Sequence, residues 1–372
     1  MTTVLVIGGG IIGTMHAREA LKRGNRVIHV ERDGRPRSAS VRNFGLVWIG
    51  GRASGGELDL SLRTRELWQE LHEEFGNLEF RGNGSMTIAR NNAEMLVLEQ
   101  SMAKSDAASR QWQLLSPDEV RGVNPALKGK FLGGLYCPLD AAVEPNFVLT
   151  QLRGALLAND KYEWHSNVDI VSVVDIGGTT RAVSKDGRKF DADITIVCPG
   201  ADHTSLFAEE LREAPLRRVR LQMMSTEPFA EKLTTSVADG DSLRYYPAYD
   251  VPALKDLPAQ SPIAAEHKMQ LLLVQRTDGT LTIGDTHEYD EPFEFSLRED
   301  VYEYLHEVAS DILGQKIPPI TRRWDGVYSQ RTDGAICERR FITNKIVIVT
   351  GPGGRGNTLA PALAEATFKE IK

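Results

Sequence analysis

The feature that most constrains this chain lies in its first 31 residues. A β-branched run, Val4-Leu5-Val6-Ile7, meets Gly8, Gly10 and Gly13. A helical stretch follows, and then a second strand, 26–30, that ends at Glu31. Strand, glycine turn, helix and strand in this order turn a bare G-x-G-x-x-G into a dinucleotide fingerprint. Gly8 allows the tight turn, Gly10 lets backbone approach a pyrophosphate, and Gly13 lets the helix pack on the strand. The helix dipole and the free amides of its first turn attract the phosphates. Glu31 is placed to accept from the adenosine ribose hydroxyls and disfavours a 2′-phosphate, which argues against NADP. A glycine-rich turn in an ordinary α/β protein is the bland reading, and the motif does not separate FAD from NAD.

At 372 residues the chain is long enough for two domains. No apolar run approaches the ~20 residues of a membrane span. The first strand starts at Val4, which leaves no room for a signal peptide ahead of it. The net charge of −7 argues against a nucleic-acid surface. Cys137, Cys198 and Cys337 are too far apart for a metal motif or a disulfide framework, so buried thiols in a cytoplasmic protein are expected, and no metal site.

The pattern along the chain is mixed. Helices are expected over 55–75, 92–108, 117–125, 146–158, 297–313 and from 357. Strands are expected at 84–90, 133–145 (with a turn), 217–226, 243–247, 269–276, 280–285, 320–330 and 345–351. Residues 168–198 read as a β-meander around a Lys185-Asp186-Gly187 hairpin, with 194–200 rejoining the nucleotide-binding sheet. Residues 251–267, rich in Pro and Ala, read as a long loop, a lid or partner contact. The second half therefore suggests an antiparallel sheet.

Four separated blocks resemble one family. They are the opening fingerprint, ASVRNFG (39–45), DAAVEPNFVLTQL (140–152) and TGPGGRGNTLAPALAE (350–365). Their order and spacing are similar to those of the D-amino-acid oxidase, glycine oxidase and sarcosine oxidase group. That resemblance implies an α/β plus α+β fold. A discontinuous Rossmann-like FAD-binding domain (1–80, 145–215 and 325–372) would join an antiparallel-sheet substrate domain (81–144 and 216–324). It implies FAD, bound non-covalently, because the surroundings of Cys337 do not match a flavin attachment site. By position, Gly8, Gly10, Gly13, Glu31 and Arg32 would hold the ADP half, with the backbone of Val168 at the adenine and Gly200 ending the crossing strand. Ser40, Arg42, Asn43 and Gly45 would follow the pyrophosphate and flavin. Gly354, Arg355, Gly356, Asn357 and Thr358 would approach flavin N1 and O2, where positive potential stabilises the reduced ring.

The family reaction oxidises a C–N bond by hydride transfer to flavin N5. Imine hydrolysis and reoxidation by O2 or another acceptor follow. It needs no side-chain nucleophile or metal. Amino-acid oxidases of the group often carry an arginine before the last strand, which grips the substrate carboxylate. Here DGVYSQRTDG (325–334) puts Tyr328 at that place, and Arg331, three residues on, falls on the other face. RYYPAYD (244–250), GDTHEYD (284–290), Trp48 and Arg355 offer hydroxyls, an imidazole and a cation instead. The combination resembles a subgroup linked to aminophosphonate breakdown, so the expected substrate is a small anionic amine such as 2-aminoethylphosphonate or its N-methyl derivative. Trp48, Tyr246, His287, Tyr328 and Arg355 are the candidate substrate contacts, while Tyr245 and Tyr249 read equally well as core. His29, His16 and His165 read as structural or surface groups. Alternatives are a glycine, sarcosine or D-amino-acid oxidase, an NAD-dependent dehydrogenase and a partner-dependent flavoprotein. Oligomeric state is unreadable.

Overall fold

A computed structural model describes residues 1–76 and 78–371. Strands 338–341, 346–350, 194–197, 3–7, 26–30 and 162–165 form a six-stranded sheet in that order. All are parallel except the edge strand 338–341. A strand buried on both faces needs apolar side chains pointing both ways, and these strands alternate between two partners. Val4, Val6, Val27, Ile196 and Val347 face a helical layer through Ala17, Ala20, Leu156 and Phe368. Leu5, Ile28, Val30, Val197 and Ile348 face a three-stranded antiparallel meander (170–175, 180–184, 189–192) through Ile170, Val173, Ala182 and Phe190. The Lys185-Asp186-Gly187 turn and the return of 194–197 to the parallel sheet are as the sequence suggests.

The second sheet has eight strands, in the order 320–331, 216–228, 280–284, 272–275, 236–238, 85–89, 133–137 and 113–115. Its pairings are antiparallel except that of 236–238 with 85–89. Alternation again sorts its faces. Met224, Leu273 and Ile283 pack on the amphipathic helix Glu299–Leu313. Met223, Leu272 and Val274 face an aromatic cluster of Phe44, Trp48, Tyr246 and Tyr249. Mixed parallel and antiparallel sheets of this kind are the α/β plus α+β fold the sequence implies.

Three segments differ from expectation. Residues 243–247 are not a strand: Ser242–Tyr245 is a helical turn, and Pro247, which has no N–H for a ladder, opens a 3-10 turn, Pro247–Tyr249. The stretch 251–267 is not an irregular loop. It holds helical turns Pro252–Asp256 and Pro262–Glu266, each opened by proline at its first position, and Ser261 caps the second by accepting from the Ala264 amide at 3.3 Å. The helix expected over 92–108 ends at Met102.

Candidate active site

Two adjoining cavities run between the sheets, one of about 640 Å³ and one of about 140 Å³. Both touch Gly10, Ala39, Ser40, Cys198, Gly200 and Ala201, so they form a single bent cleft. The smaller lobe is lined by Gly8, Glu31, Arg32 and Val168. The larger is lined by Gly13, Arg42, Asn43, Trp48, Tyr246, Tyr328 and the run Gly354–Thr358.

The glycine turn is built for close approach. Gly8 sits at φ +109°, and a Cβ on Gly13 would lie 1.9 Å from the Gly8 carbonyl oxygen. Glu31 is aimed from below, accepting from the Gly9 amide at 2.7 Å and the Asp33 amide at 3.1 Å. A carboxylate has about four acceptor positions, so it keeps capacity for ribose hydroxyls. Arg32 pairs with Asp202 at 2.5 Å, tying the second strand to the turn after 194–197. The helices Ile11–Lys22 and Gly356–Glu370 both begin at the cleft, and among the described residues neither has a capping bond from its own N-cap side chain. Ser40 reaches across to accept from the Ile11 amide at 3.0 Å. The two helix starts lie side by side, with a Cβ on Gly356 only 3.2 Å from Ile11, and two neighbouring electropositive starts on one cleft suit a ligand that carries both a pyrophosphate and an electron-accepting ring. The residues present therefore fit FAD.

The blocks that carry the sequence resemblance are stitched together here. Asn43 Nδ2 donates to the Ala39 carbonyl at 2.7 Å, while its Oδ1 accepts from the Gly45 amide (2.6 Å) and from Asn357 Nδ2 (3.2 Å). The Trp48 amide donates to Thr358 Oγ1 at 2.9 Å. Pro361, inside the closing helix, cannot donate to the Asn357 carbonyl four residues back. Trp68 Nε1 donates to that carbonyl instead, at 2.9 Å. Gly45 does not line either lobe. It has φ +73°, and a Cβ there would lie 2.0 Å from the Val143 carbonyl oxygen, so it serves the packing of 39–45 on 140–152.

The polar wall of the larger lobe centres on residues absent from the sequence reading. Arg52 and Glu57 are buried and 3.5 Å apart. Glu57 Oε2 also accepts from Arg355 at 2.9 Å. Arg355 is otherwise spent on the carbonyls of Pro352 (2.6 Å) and Ile336 (3.1 Å), and burial pulls its basicity down against the pull of Glu57. Arg52 lies 5.1 Å over the Tyr246 ring, which in turn stacks on Trp48 at 5.7 Å. Two guanidinium groups on one carboxylate leave net positive charge on the wall.

The segment carrying Trp48 and Arg52 is clamped from both sides. Fully buried Asp140 accepts from the amides of Ile49 (2.5 Å) and Gly50 (2.9 Å) and from Ser85 Oγ (2.6 Å). Fully buried Arg110 donates to the carbonyls of the same two residues, at 3.1 and 3.0 Å, and to Asp106 at 2.7 Å.

Tyr328 packs with Val219 and Leu221, and its hydroxyl lies 3.3 Å from that of Tyr245. Burial holds the hydroxyls of Tyr245, Tyr246 and Tyr328 far above the ordinary tyrosine range, so they are neutral donors. Arg331 does not replace the missing arginine: Asp333, at 2.5 Å, and Glu338 engage its guanidinium. His287 is displaced from the role expected of it. Its ring stacks 4.2 Å from Tyr245, one layer behind the cavity wall, its Nδ1 bonds the Lys268 carbonyl at 2.9 Å, and burial lowers it to about 4. Tyr249 is core, stacked on Trp112. His29 and His16 are buried and bonded within the fold.

Four residues that line the larger lobe each carry a buried polar atom with no hydrogen-bond partner among the described residues: Trp48 Nε1, Arg52 Nε, Gln270 Oε1 and Asp285 Oδ1. Unpaired buried groups are rare in folded chains, and these four share one cavity wall, whereas the others among the described residues are scattered away from it. The sequence signal for Arg52 was its place four residues after Trp48 in a glycine turn with Glu57 next on a helix start. Gln270 and Asp285 carry no local signal. Among the described residues no group of His, Cys, Asp or Glu could hold a metal ion, and no helix is long and apolar enough to cross a membrane.

Comparison with known proteins agrees with this geometry. A family model described as FAD dependent oxidoreductase, DAO, matches residues 3–369. The mitochondrial pyruvate dehydrogenase phosphatase regulatory subunit of Mus musculus is 24% identical over 249 residues, covering 65% of this chain and only 28% of that protein. A D-amino acid dehydrogenase of Neisseria meningitidis serogroup C is 23% identical over 318 residues, covering 83% of this chain and 68% of that protein. The crystal structure of glycine oxidase from Geobacillus kaustophilus superimposes with a TM-score of 0.79 at 18% identity, covering 100% of this chain and 95% of that one, which shows a shared fold.

Proposed function

Because this chain belongs to the DAO family of FAD-dependent oxidoreductases, we propose that it oxidises the C–N bond of a small anionic amine. When bound, FAD supplies the two-electron acceptor for that bond. The observation that carries the anionic reading is the buried Arg52–Glu57–Arg355 group, whose excess positive charge faces the larger lobe while Tyr328 occupies the strand position of the expected arginine. A buried unpaired cation is costly unless an anion completes it. Arg52 Nε, Trp48 Nε1 and neutral tyrosine hydroxyls offer more donors than a carboxylate needs. A tetrahedral phosphonate uses them better, so 2-aminoethylphosphonate and its N-methyl derivative are the first substrates proposed. The chain's own contribution is orientation and charge in a closed site. By this reading FAD is held without a covalent link and passes electrons to O2 or another acceptor.

A second reading, oxidation of glycine, sarcosine or a D-amino acid, is favoured by the D-amino acid dehydrogenase and glycine oxidase likenesses. Anaerobic mixing of the holoenzyme with 2-aminoethylphosphonate, N-methyl-2-aminoethylphosphonate, glycine, sarcosine and D-alanine decides between them. Bleaching of the flavin bands by the phosphonates is the expected result. Rapid bleaching by D-alanine with no response to either phosphonate refutes the phosphonate assignment. Peroxide release on admitting air then identifies O2 as the acceptor.

A further inference from the structure

The polar wall has two ends of opposite character. Of the lining residues, Arg52 and Trp48 carry unpartnered donors, while Gln270 and Asp285 carry unpartnered acceptors. The Tyr246 ring spans them: Arg52 lies over it, Trp48 stacks on it, and its hydroxyl is 3.5 Å from Gln270 Nε2. Asp285 closes the strand Thr280–Gly284 and is 5% exposed. Its backbone exchanges hydrogen bonds with that of Gln270, at 2.9 and 3.3 Å, which sets the two side chains next to each other. An acceptor pair in a closed cavity suits N–H groups, and a donor pair suits an anion. A substrate carrying both would lie along Tyr246.

We propose that Gln270 and Asp285 form the amine-recognising half of the site, and that Asp285 takes the proton an ammonium substrate must lose before its C–N bond is oxidised. The inference rests on the anionic-amine reading for the substrate's other end. The step is a proton transfer alone. One N–H bond of R–NH3⁺ breaks and one O–H bond forms on the Asp285 carboxylate. The nitrogen keeps the electron pair, and nothing is oxidised or reduced until the neutral amine reacts.

The surroundings poise this carboxyl. Burial raises it to about 8, the Gln270 side chain pulls it back, and the charge of Asp239 adds to the rise. The other titratable groups around it are His287, whose Nε2 is 3.9 Å from Oδ2, and the phenols Tyr245, Tyr246, Tyr289 and Tyr328. His287 is depressed to about 4 and the buried phenols are raised, so none of these changes charge between pH 5 and 9; Asp239, raised to about 7, titrates in the same window, and loss of the limb in Asp285→Asn is what assigns it to Asp285.

The test uses flavin-loaded enzyme. In the wild type, the second-order rate constant for anaerobic flavin reduction by 2-aminoethylphosphonate should fall as pH drops below about 8, beyond the substrate amine's own ionisation. Asp285→Asn should lower that constant at neutral pH by about 100-fold or more, the range of a lost general base, and remove the limb. Gln270→Leu keeps the carboxyl but loses a group that pulls it down, so the limb should move to higher pH. A second readout avoids turnover. Calorimetry with 2-amino-2-methylpropylphosphonate, whose amine-bearing carbon has no hydrogen to lose, should release about one proton more from wild type than from Asp285→Asn at pH 7. Unchanged pH limbs in both variants, or equal proton release, overturn the role of Asp285. Equal reduction by propylamine and by the phosphonate refutes the anionic reading while leaving the limb as an independent test of Asp285.

Discussion

Arg110→Met should loosen the substrate wall without touching a single cavity-lining side chain. The methionine is similar in length and fills the volume, but it cannot donate to the Ile49 and Gly50 carbonyls. The Ile49 carbonyl keeps the Arg52 amide at 3.1 Å, but the Gly50 carbonyl is left without its donor, and an orphaned buried acceptor costs about 1–3 kcal/mol. Asp106 loses one partner but keeps Ser54 Oγ at 2.7 Å and some access to water, so it adds little. The guanidinium also leaves the Trp112 face, 4.8 Å away, a contact worth about 0.5–2 kcal/mol. The sum is about 3 kcal/mol, which at roughly 2 °C per kcal/mol for a long chain is a fall of about 6 °C in the thermal midpoint of the holoenzyme. Thermal unfolding followed by circular dichroism and flavin release measures this. Because Asp140 still holds the amides of the same turn, the fold survives, while Arg52 loses its fixed aim. The dissociation constant for an anionic amine analogue should then rise about tenfold, the factor that about 1.4 kcal/mol of lost binding produces. Arg110→Lys, which can reach one carbonyl or the carboxylate but not all three acceptors, should fall between. A midpoint within 2 °C of wild type together with unchanged analogue binding would refute the clamp.

Trp68→Phe should strand the Asn357 carbonyl that Pro361 cannot serve. A loss of about 1–3 kcal/mol in denaturant midpoint and weaker FAD retention on gel filtration are expected; unchanged retention would count against the Trp68 bond. Gly13→Ala places a methyl 1.9 Å from the Gly8 carbonyl oxygen. Backbone cannot yield there, so the purified variant should be colourless and should bind added FAD at least 100-fold more weakly. Five buried groups shape the pH dependence of stability. His16, His29 and His287 are each lowered from 6.5 to about 4 by burial, so their contribution is complete above 6.5 and lost as pH falls towards 4. Asp239 and Asp285 are raised from 3.8 to about 7 and about 8, so theirs is complete below the unfolded value and lost as pH rises through the folded ones. Three losses on the acid side and two on the basic side place the thermal midpoint's maximum near pH 6.5, and a steady rise to pH 8.5 would contradict these assignments.

The two halves of the cleft were unequally legible in the sequence, for a physical reason. A helix N-terminus that binds phosphate or flavin needs glycines, a preceding strand and short-range polar residues, all close together in the chain. Gly8, Gly13 and Glu31 could therefore be read from local pattern, while Asn43 and Thr358 were implied by the family resemblance of their blocks, and each lies in or on the cleft. Gly45 belonged to the same motif, yet its constraint is the Val143 carbonyl, a contact 98 positions away that no local pattern records. The expected strand at 243–247 failed because its tyrosines favour a strand while Pro247 forbids the ladder.

The substrate wall is a convergence of distant pieces. Arg52 comes from a glycine turn, Glu57 from a helix start, and Gln270 and Asp285 from the ends of two neighbouring strands. Polar neighbours in sequence drew attention to His287, yet the strand end turns its ring under Tyr245 and leaves Asp285, two residues earlier, at the cavity. The sequence did register that something had moved, because Tyr328 stands where an arginine was expected. What it could not record is where the charge went. A guanidinium on the 320–331 strand would enter the cavity from the sheet, whereas Arg52 lines it from the turn that carries Trp48. On the proposed anionic reading, the anion-binding end of the site lies on a different wall, and with it the direction in which the substrate's C–N bond would lie relative to the sheet changes. Restoring the lost arginine with Tyr328→Arg should therefore not create an amino-acid oxidase. With Arg52 and Arg355 already in the wall, a third guanidinium would meet like charge and lose the Tyr245 hydroxyl contact. Activity on D-alanine no higher than wild type, with flavin retained, is the expected result, and a gain of tenfold or more would show that the old wall still serves.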